Sequence, residues 1–412
     1  MADRISTSWS YSQPISDMLS LQVQVNETYS KISSGKEVQT ASDDPVAMAR
    51  ILQLDQDINQ MEQYQENIDM LEARLEIEDA ALSGVADVLQ GIRELVVQAG
   101  NEGVYEDTEL QAIADEIQQY LYSLVDLANS KDGGGEYLFS GFQGDDMAFV
   151  ESPGGGYSYQ GDDGVREIKI SDSVTLDASD AGSEVFLDID SASTSFYSFA
   201  SDQNTGSGII TQGITVDQEA LDEFYPDDFY IEFNNEYELD PPNTNYTVYR
   251  VSDGRIMEGL ENVEYYEGQD IVVGGMSVEI TGDPYAGDQF IVESSQTQSM
   301  FVSIEKIIYA IENYSDNTEL YAAAIADGLD NMDYIIDNVS TVRASIGSRL
   351  NTADNVDNQM ADNILASQEI RSDLEDLDYA EAVSNLQYQE FVLQAVQQTY
   401  STISQLSLFD YI

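Results

Sequence analysis

The sequence predicts an α+β fold. The two ends of the chain form a long antiparallel helical coiled-coil rod, and the middle forms an inserted, antiparallel β-rich outer domain. Three observations predict it. An unbroken heptad row of apolar residues runs through residues 45–99. Further heptad rows return between residues 298 and 370. Between the arms, residues 140–296 hold most of the glycines and prolines, with short runs rich in aromatic and β-branched residues. Neither arm has a domain-like mix of elements by itself, so each is expected to pack on the other.

The extreme ends, residues 1–44 and 371–412, form narrow seams. Met18, Val25 and Ile32 are spaced seven apart, with Leu21 and Thr28 between them. At the other end Tyr379, Leu386, Leu393 and Tyr400 form one row, and Ala382, Gln389, Val396 and Ile403 another. A lone helix this polar is marginal in water. Both ends therefore need partners, either each other or neighbouring subunits. The candidate assembly residues are Met18, Leu21, Val25, Ile32, Leu386, Leu393, Val396, Tyr400 and Ile403.

The rod is expected from residues 45–139 and 297–370. Asp44 can cap the first helix, Pro45 suits its first position, and Asp43 complements its dipole. Ala47, Leu54, Met61, Ile68, Leu75, Leu82, Leu89 and Val96 form one row. Ile51, Ile58, Tyr64, Leu71, Val85 and Ile92 accompany it, and Gly100 and Gly103 mark the end. At 1.5 Å per residue this helix spans about 80 Å. A second helix fits residues 108–130, capped by Asp107 or Thr108 and stopped by Gly133, Gly134 and Gly135. Residues 136–141 then read as a strand. In the C-terminal arm a helix over 298–312 carries Phe301, Ile304, Ile308 and Ile311. The long helix after it carries Ile325, Met332, Val339, Ile346, Ala353 and Met360. Its second row, Leu329, Ile336, Leu350 and Ile364, is interrupted by Arg343 and Asp357.

In the middle, residues 229–233, 245–251 and 289–293 read as strands and 271–280 as a hairpin, together one compact antiparallel domain.

Charge and composition narrow the function. The chain has 412 residues, 15 Lys and Arg against 78 Asp and Glu, and a net charge of −63. Such a surface repels nucleic acid and anionic membranes. It also repels itself in dilute buffer and is screened in concentrated salt, so it reads as a salt-adapted protein. No cysteine and no histidine is present. Thiolate metal sites, disulfides, and Ser–His or cysteine catalysis are therefore excluded. No apolar run is long enough to cross a membrane, and Arg4-Ile5 does not open a secretory signal.

Little catalytic chemistry can be found. The pairs Asp145-Asp146, Asp162-Asp163 and Asp227-Asp228 read as solvated acidic loops rather than as calcium sites with EF-hand spacing. The glycine runs at 133–135 and 154–156 lack the Lys-Ser/Thr of a phosphate loop. No catalytic, cofactor-binding or metal-binding residue is singled out.

Three stretches carry a family resemblance. One is Ser33-Ser34-Gly35-Lys36-Glu37-Val38 followed by Ala41-Ser42-Asp43-Asp44-Pro45-Val46-Ala47. The second is Leu89-Gln90-Gly91-Ile92-Arg93-Glu94-Leu95, continuing to Asn101. The third is Val342-Arg343-Ala344-Ser345-Ile346-Gly347-Ser348-Arg349-Leu350. In order and placement they resemble the signatures of the flagellin superfamily. Asp43-Asp44-Pro45, Tyr137–Phe142, Ile280–Phe290 and Gln405–Tyr411 resemble its hook–filament junction branch rather than filament flagellin.

The resemblance implies a structural, non-enzymatic adaptor, exported unfolded through the flagellar channel. Its terminal helices would be disordered in the monomer and form a coiled coil on assembly. It implies as partners other copies of the chain, the hook-side junction protein, filament flagellin and an export chaperone. It gives weight to Gly35, Asp43, Asp44, Pro45, Arg93, Arg343 and Arg349. Gly91 departs from flagellins that an animal receptor recognises, which carry arginine there, so that recognition is not implied. Filament flagellin is the alternative within the family. A secreted acidic enzyme or glycan-binding protein is the alternative outside it.

Overall fold

The computed structural model describes residues 7–101, 107–315 and 317–405. The N-terminal arm holds α1 (Thr7–Ser34), α2 (Pro45–Ala99) and α3 (Asp107–Ala128). The middle begins with β1 (Phe149–Glu151), β2 (Tyr157–Tyr159), β3 (Glu167–Lys169), β4 (Thr175–Asp177) and α4 (Gly182–Phe186). It continues through β5 (Ile189–Ala200), β6 (Ile209–Ile210), β7 (Ile214–Thr215), α5 (Gln218–Phe224) and β8 (Phe229–Phe233). It closes with β9 (Asn245–Arg250), β10 (Val263–Glu264), β11 (Asp270–Val273), β12 (Met276–Thr281) and β13 (Gln289–Gln298). The C-terminal arm holds α6 (Met300–Asn313), α7 (Thr318–Glu375) and α8 (Tyr379–Gln405).

The described chain divides into two compact units. One holds the residues up to Glu66 together with those from Asn355 onward, and the other runs from Asn67 to Asp354.

In the second unit the heptad rows are core. Ile68, Leu75, Leu82, Leu89 and Val96 of α2 are at most 1 % exposed, as are Met332, Val339 and Ile346 of α7. In the first unit Leu54 is buried, whereas Ala47 and Met61 are half-buried.

The outer strands pair antiparallel. A five-stranded sheet runs β10-β9-β8-β13-β5, and a second sheet runs β11-β12-β6 with β7 also on β12. One core joins them: Phe229, Ile231, Val248, Phe290 and Val292 from the first, Ile271, Met276, Val278 and Ile280 from the second. The β11–β12 hairpin turns on Gly274 and Gly275, at φ 52° and 80°. A Cβ on Gly275 would lie 2.1 Å from the Asp217 carbonyl oxygen, so only glycine fits there.

Two expectations are corrected. Residues 136–141 are turns with a single bridge, Lys131 to Tyr137. Asp132 Oδ1 accepts the N–H groups of Gly134 and Glu136 at 2.8 and 3.0 Å, which curls this segment. Leu138 and Phe139 are buried there without strand partners. Nor does the whole middle segment share one sheet core. Phe186 packs edge-on with both Phe139 and Phe149, and Phe149 meets Phe301 of α6 at 5.0 Å. An aromatic cluster thus seats the first part of the segment on a helix.

Candidate assembly surfaces

The first signature builds the turn between α1 and α2. Gly35 stands at φ 75° and its carbonyl accepts the Leu377 N–H at 3.0 Å. A Cβ there would lie 2.9 Å from the Tyr379 hydroxyl. The Glu37 N–H donates to the Glu375 carbonyl at 2.7 Å, and Lys36 pairs with the Glu375 side chain. Asp43 Oδ2 accepts the N–H groups of Thr40 at 2.8 Å and Gln39 at 3.1 Å. Those backbone bonds hold its carboxyl below the usual carboxylate range. Asp44 Oδ1 accepts the N–H groups of Val46 and Ala47 at 2.9 and 3.0 Å, which caps α2 behind Pro45. Gly35, Asp43, Asp44 and Pro45 are therefore turn builders.

In the same unit α1 packs against α8. Met18, Leu21, Val25 and Ile32 are half-buried, as are Leu386, Val396 and Tyr400, and Leu393 is buried at 9 % exposure. The Thr28 hydroxyl donates to Gln389 Oε1 at 2.9 Å across the pair. The Ile403 side chain lies outside the described residues. Of the two partners left open for the narrow seams, the structure supplies the intramolecular one.

A second apolar face stays uncovered. Ile15, Leu19 and Val23 repeat every fourth residue on α1 and are 42–64 % exposed. Tyr388 and Phe391 of α8 are 69 % and 68 % exposed. Spacing by seven marks one stripe of α1, and the spacing by four at 15, 19 and 23 marks the other.

The arginines of the other signatures tie α2 to α7 and to the outer segment. Arg93 Nε meets Asp333 at 2.8 Å. Arg343 grips Asp79 through Nε at 2.8 Å and Nη2 at 3.3 Å. Arg349, 8 % exposed, pairs with Asp180 and donates to the Asp177 carbonyl at 3.1 Å. Asp180 in turn donates its N–H to Glu78, a fully buried carboxyl group on α2 that composition gives no reason to single out. Gly91 backs on α3: a Cβ there would meet the Tyr120 ring at 3.2 Å.

The acidic doublets build loops. Asp162 Oδ1 accepts the N–H groups of Phe142 and Gly164 at 2.9 and 2.8 Å, and Asp228 Oδ1 that of Ser294 at 2.8 Å. Among the described residues no group of three or more Asp or Glu is placed to hold a metal ion, and no helix is long and apolar enough to cross a membrane. One buried cation stands apart. Lys306 Nζ donates to Ser195 Oγ at 2.9 Å and to the Phe196 carbonyl at 2.6 Å, and lies over the Phe196 ring. Burial pushes its amine down to about 7.

Comparison with known proteins accords with this architecture. The bacterial flagellin N-terminal helical region matches residues 5–144. Flagellar hook-associated protein 3 of Salmonella typhimurium is 30 % identical over 188 residues, 46 % of this chain and 58 % of that protein. That of Escherichia coli is 23 % identical over 412 residues, 98 % of each chain. The solved hook-associated protein 3 of Legionella pneumophila is 26 % identical with a TM-score of 0.53, over 79 % of this chain and 98 % of that one. The chain thus resembles flagellin in its N-terminal helices and flagellar hook-associated protein 3 over its whole length.

Proposed function

We propose that the protein is a structural adaptor at the hook–filament junction of a bacterial flagellum. The observation that carries this reading is the end-to-end correspondence with hook-associated protein 3, inserted domain included. The likeness to flagellin of Bacillus subtilis spans only 27 % of this chain. The adaptor passes through the flagellar export channel, acts outside the cell and catalyses nothing. Its partners are further copies of itself, the hook-side junction protein, the first filament subunits and, before export, a chaperone. The uncovered face of α1 and α8 supports self-assembly, because contiguous exposed apolar side chains mark interaction surfaces. Three functional segments follow: the terminal helices, residues 1–44 and 371–412, for assembly; the rod, residues 45–139 and 297–370, for stiffness; and residues 140–296 as the outer domain. The acidic surface suits growth in high salt.

The test is genetic and direct. Deleting the gene should leave hooks intact, strip the filaments and shed flagellin into the medium, while tagged protein should label one band at the hook's end. Label along the whole filament would instead make the chain a filament flagellin.

A further inference from the structure

Within the second unit, α6, α7 and the neighbouring strand ends border a cavity of about 300 Å³. That is the lower end of the range for small-molecule sites. One wall, from α6 and the end of β13, carries Lys306 and Gln298. Another, from α7, carries Asp327 and Asp330. Lys306 and Asp327 are opposite charges that line one cavity, and they do not pair with each other.

Each is held by other partners. Lys306 Nζ donates to Ser195 Oγ at 2.9 Å and to the Phe196 carbonyl at 2.6 Å. Asp327 Oδ1 accepts the Ser193 hydroxyl at 2.9 Å, and its Oδ2 accepts the Asn331 amide at 3.0 Å. An ammonium has a third N–H, and a carboxylate oxygen a second lone pair, so both groups keep capacity for one more partner. Gln298 adds a donor beside the lysine. Its Oε1 accepts the same Ser195 hydroxyl at 3.0 Å. Its side chain is buried at 5 % exposure, and Nε2 has no hydrogen-bond partner among the described residues. A buried donor left unpaired is destabilising, and so is a buried charge without a close counter-ion.

Charge decides what fits. A simple anion at Lys306 would meet Asp327 and Asp330, and a simple cation at Asp327 would meet Lys306. A neutral apolar molecule would leave the polar groups unpaired. A molecule with one negative and one positive end satisfies both walls. The donors of Lys306 and Gln298 match a carboxylate, and Asp327 matches an ammonium. Val216, Leu320 and Ala324 are half-buried against a small apolar cluster around Ile214 and also line the cavity, so they offer a short hydrocarbon a surface. We propose that this cavity binds a free α-amino acid with a small apolar side chain, its carboxylate on Lys306 and Gln298 and its ammonium on Asp327.

Water can bridge polar groups of this kind too, and the test separates the two cases. Alanine, valine and leucine are titrated calorimetrically into the full chain in concentrated salt at pH 6. Burial pushes the Lys306 amine down to about 7, so it is charged there. At least one should bind, at one site per chain. The N-acetyl derivative of that amino acid lacks the ammonium and its amide lacks the carboxylate, so each should bind at least about tenfold more weakly. Lys306→Met keeps the stem without the charge, and Asp327→Asn keeps the shape without the charge. Each should also weaken binding roughly tenfold or more. The ligand derivatives need no variant, so they decide the matter even if a substituted chain fails to fold. Tyr285→Ala, an exposed tyrosine outside the cavity, should bind as the parent does. The proposal is overturned if none of the three amino acids binds, which leaves water as the bridge. It is equally overturned if a one-charge derivative, or either folded charge variant, retains full affinity. Neither result bears on the position of the protein in the flagellum.

Discussion

The backbone N–H of Asp180 donates to Glu78 Oε1 at 3.0 Å, and Glu78 stands midway between Leu71 and Val85 in a heptad row of α2. It occupies an apolar position and is 0 % exposed, with its second oxygen unpartnered. Burial first, and the neighbouring Asp180 carboxylate next, push its carboxyl up to about 8; the Asp180 N–H and Arg349 pull the other way. The folded protein therefore holds this proton where the unfolded chain, near 4.5, has lost it. Its contribution to stability is fully present below the unfolded value and is lost as pH rises toward 8. Denaturation at constant salt should show the parent losing about 2–4 kcal/mol more than Glu78→Gln between pH 5 and pH 8. Parallel pH profiles for the two would show that Glu78 is already ionised in the fold.

Rod and terminal faces should respond differently to the same chemistry. Leu75 is fully buried, and Leu75→Asp should cost several kcal/mol, about 3–5, by placing an unpaired charge in the seam. Phe391 is 68 % exposed, so Phe391→Asp should leave the monomer melt within about 0.5 kcal/mol of the parent and prevent incorporation at the hook. Leu393→Asp is a poorer probe of assembly, since Leu393 is buried in the pairing of α8 with α1 within one chain. Normal incorporation of Phe391→Asp would remove this face from the assembly contacts.

Helices were legible where one physical demand dominated. The run from Pro45 to Ala99 declares both its ends, through the Asp44 cap and Gly100, and its buried face through heptads. The 136–141 segment reads as a strand because its apolar residues look like strand material, while the deciding force is the Asp132 carboxylate gathering two N–H groups. Glu78 was invisible among 78 acids, since its burial depends on Asp180 and Arg349, about 100 and 270 residues away along the chain. Arg93 and Arg343 were found only through their signatures; spacing alone would have left them as solvated helix positions.

Gly35 offers a local test of the turn that joins the two terminal arms. Alanine at φ 75° costs about 1–2 kcal/mol, and its Cβ would also press on the Tyr379 hydroxyl at 2.9 Å. Hydrogen exchange should show Gly35→Ala loosening the start of α8 while the protection of residues 68–96 is unchanged. Adding Tyr379→Phe should recover part of the loss by removing the oxygen. Uniform loss of protection throughout α2 would mean that the turn supports the rod as well.

Salt should act on assembly before it acts on the fold. The apolar stripes of α1 and α8 are interleaved with exposed Asp17, Glu27, Glu381 and Glu390. Copies brought together there face one another's carboxylates, and the net charge of −63 adds to the repulsion at longer range. Within the chain, by contrast, Asp79 and Asp333 have arginine partners and the rod core is apolar. The Debye length is about 3 Å at 1 M salt and about 10 Å at 0.1 M, so dilution over that range restores repulsion between copies first. Light scattering should then fall steeply as salt is lowered, while helical circular dichroism holds until lower salt. Coincident transitions would place the decisive acid–acid repulsion inside the monomer rather than between copies.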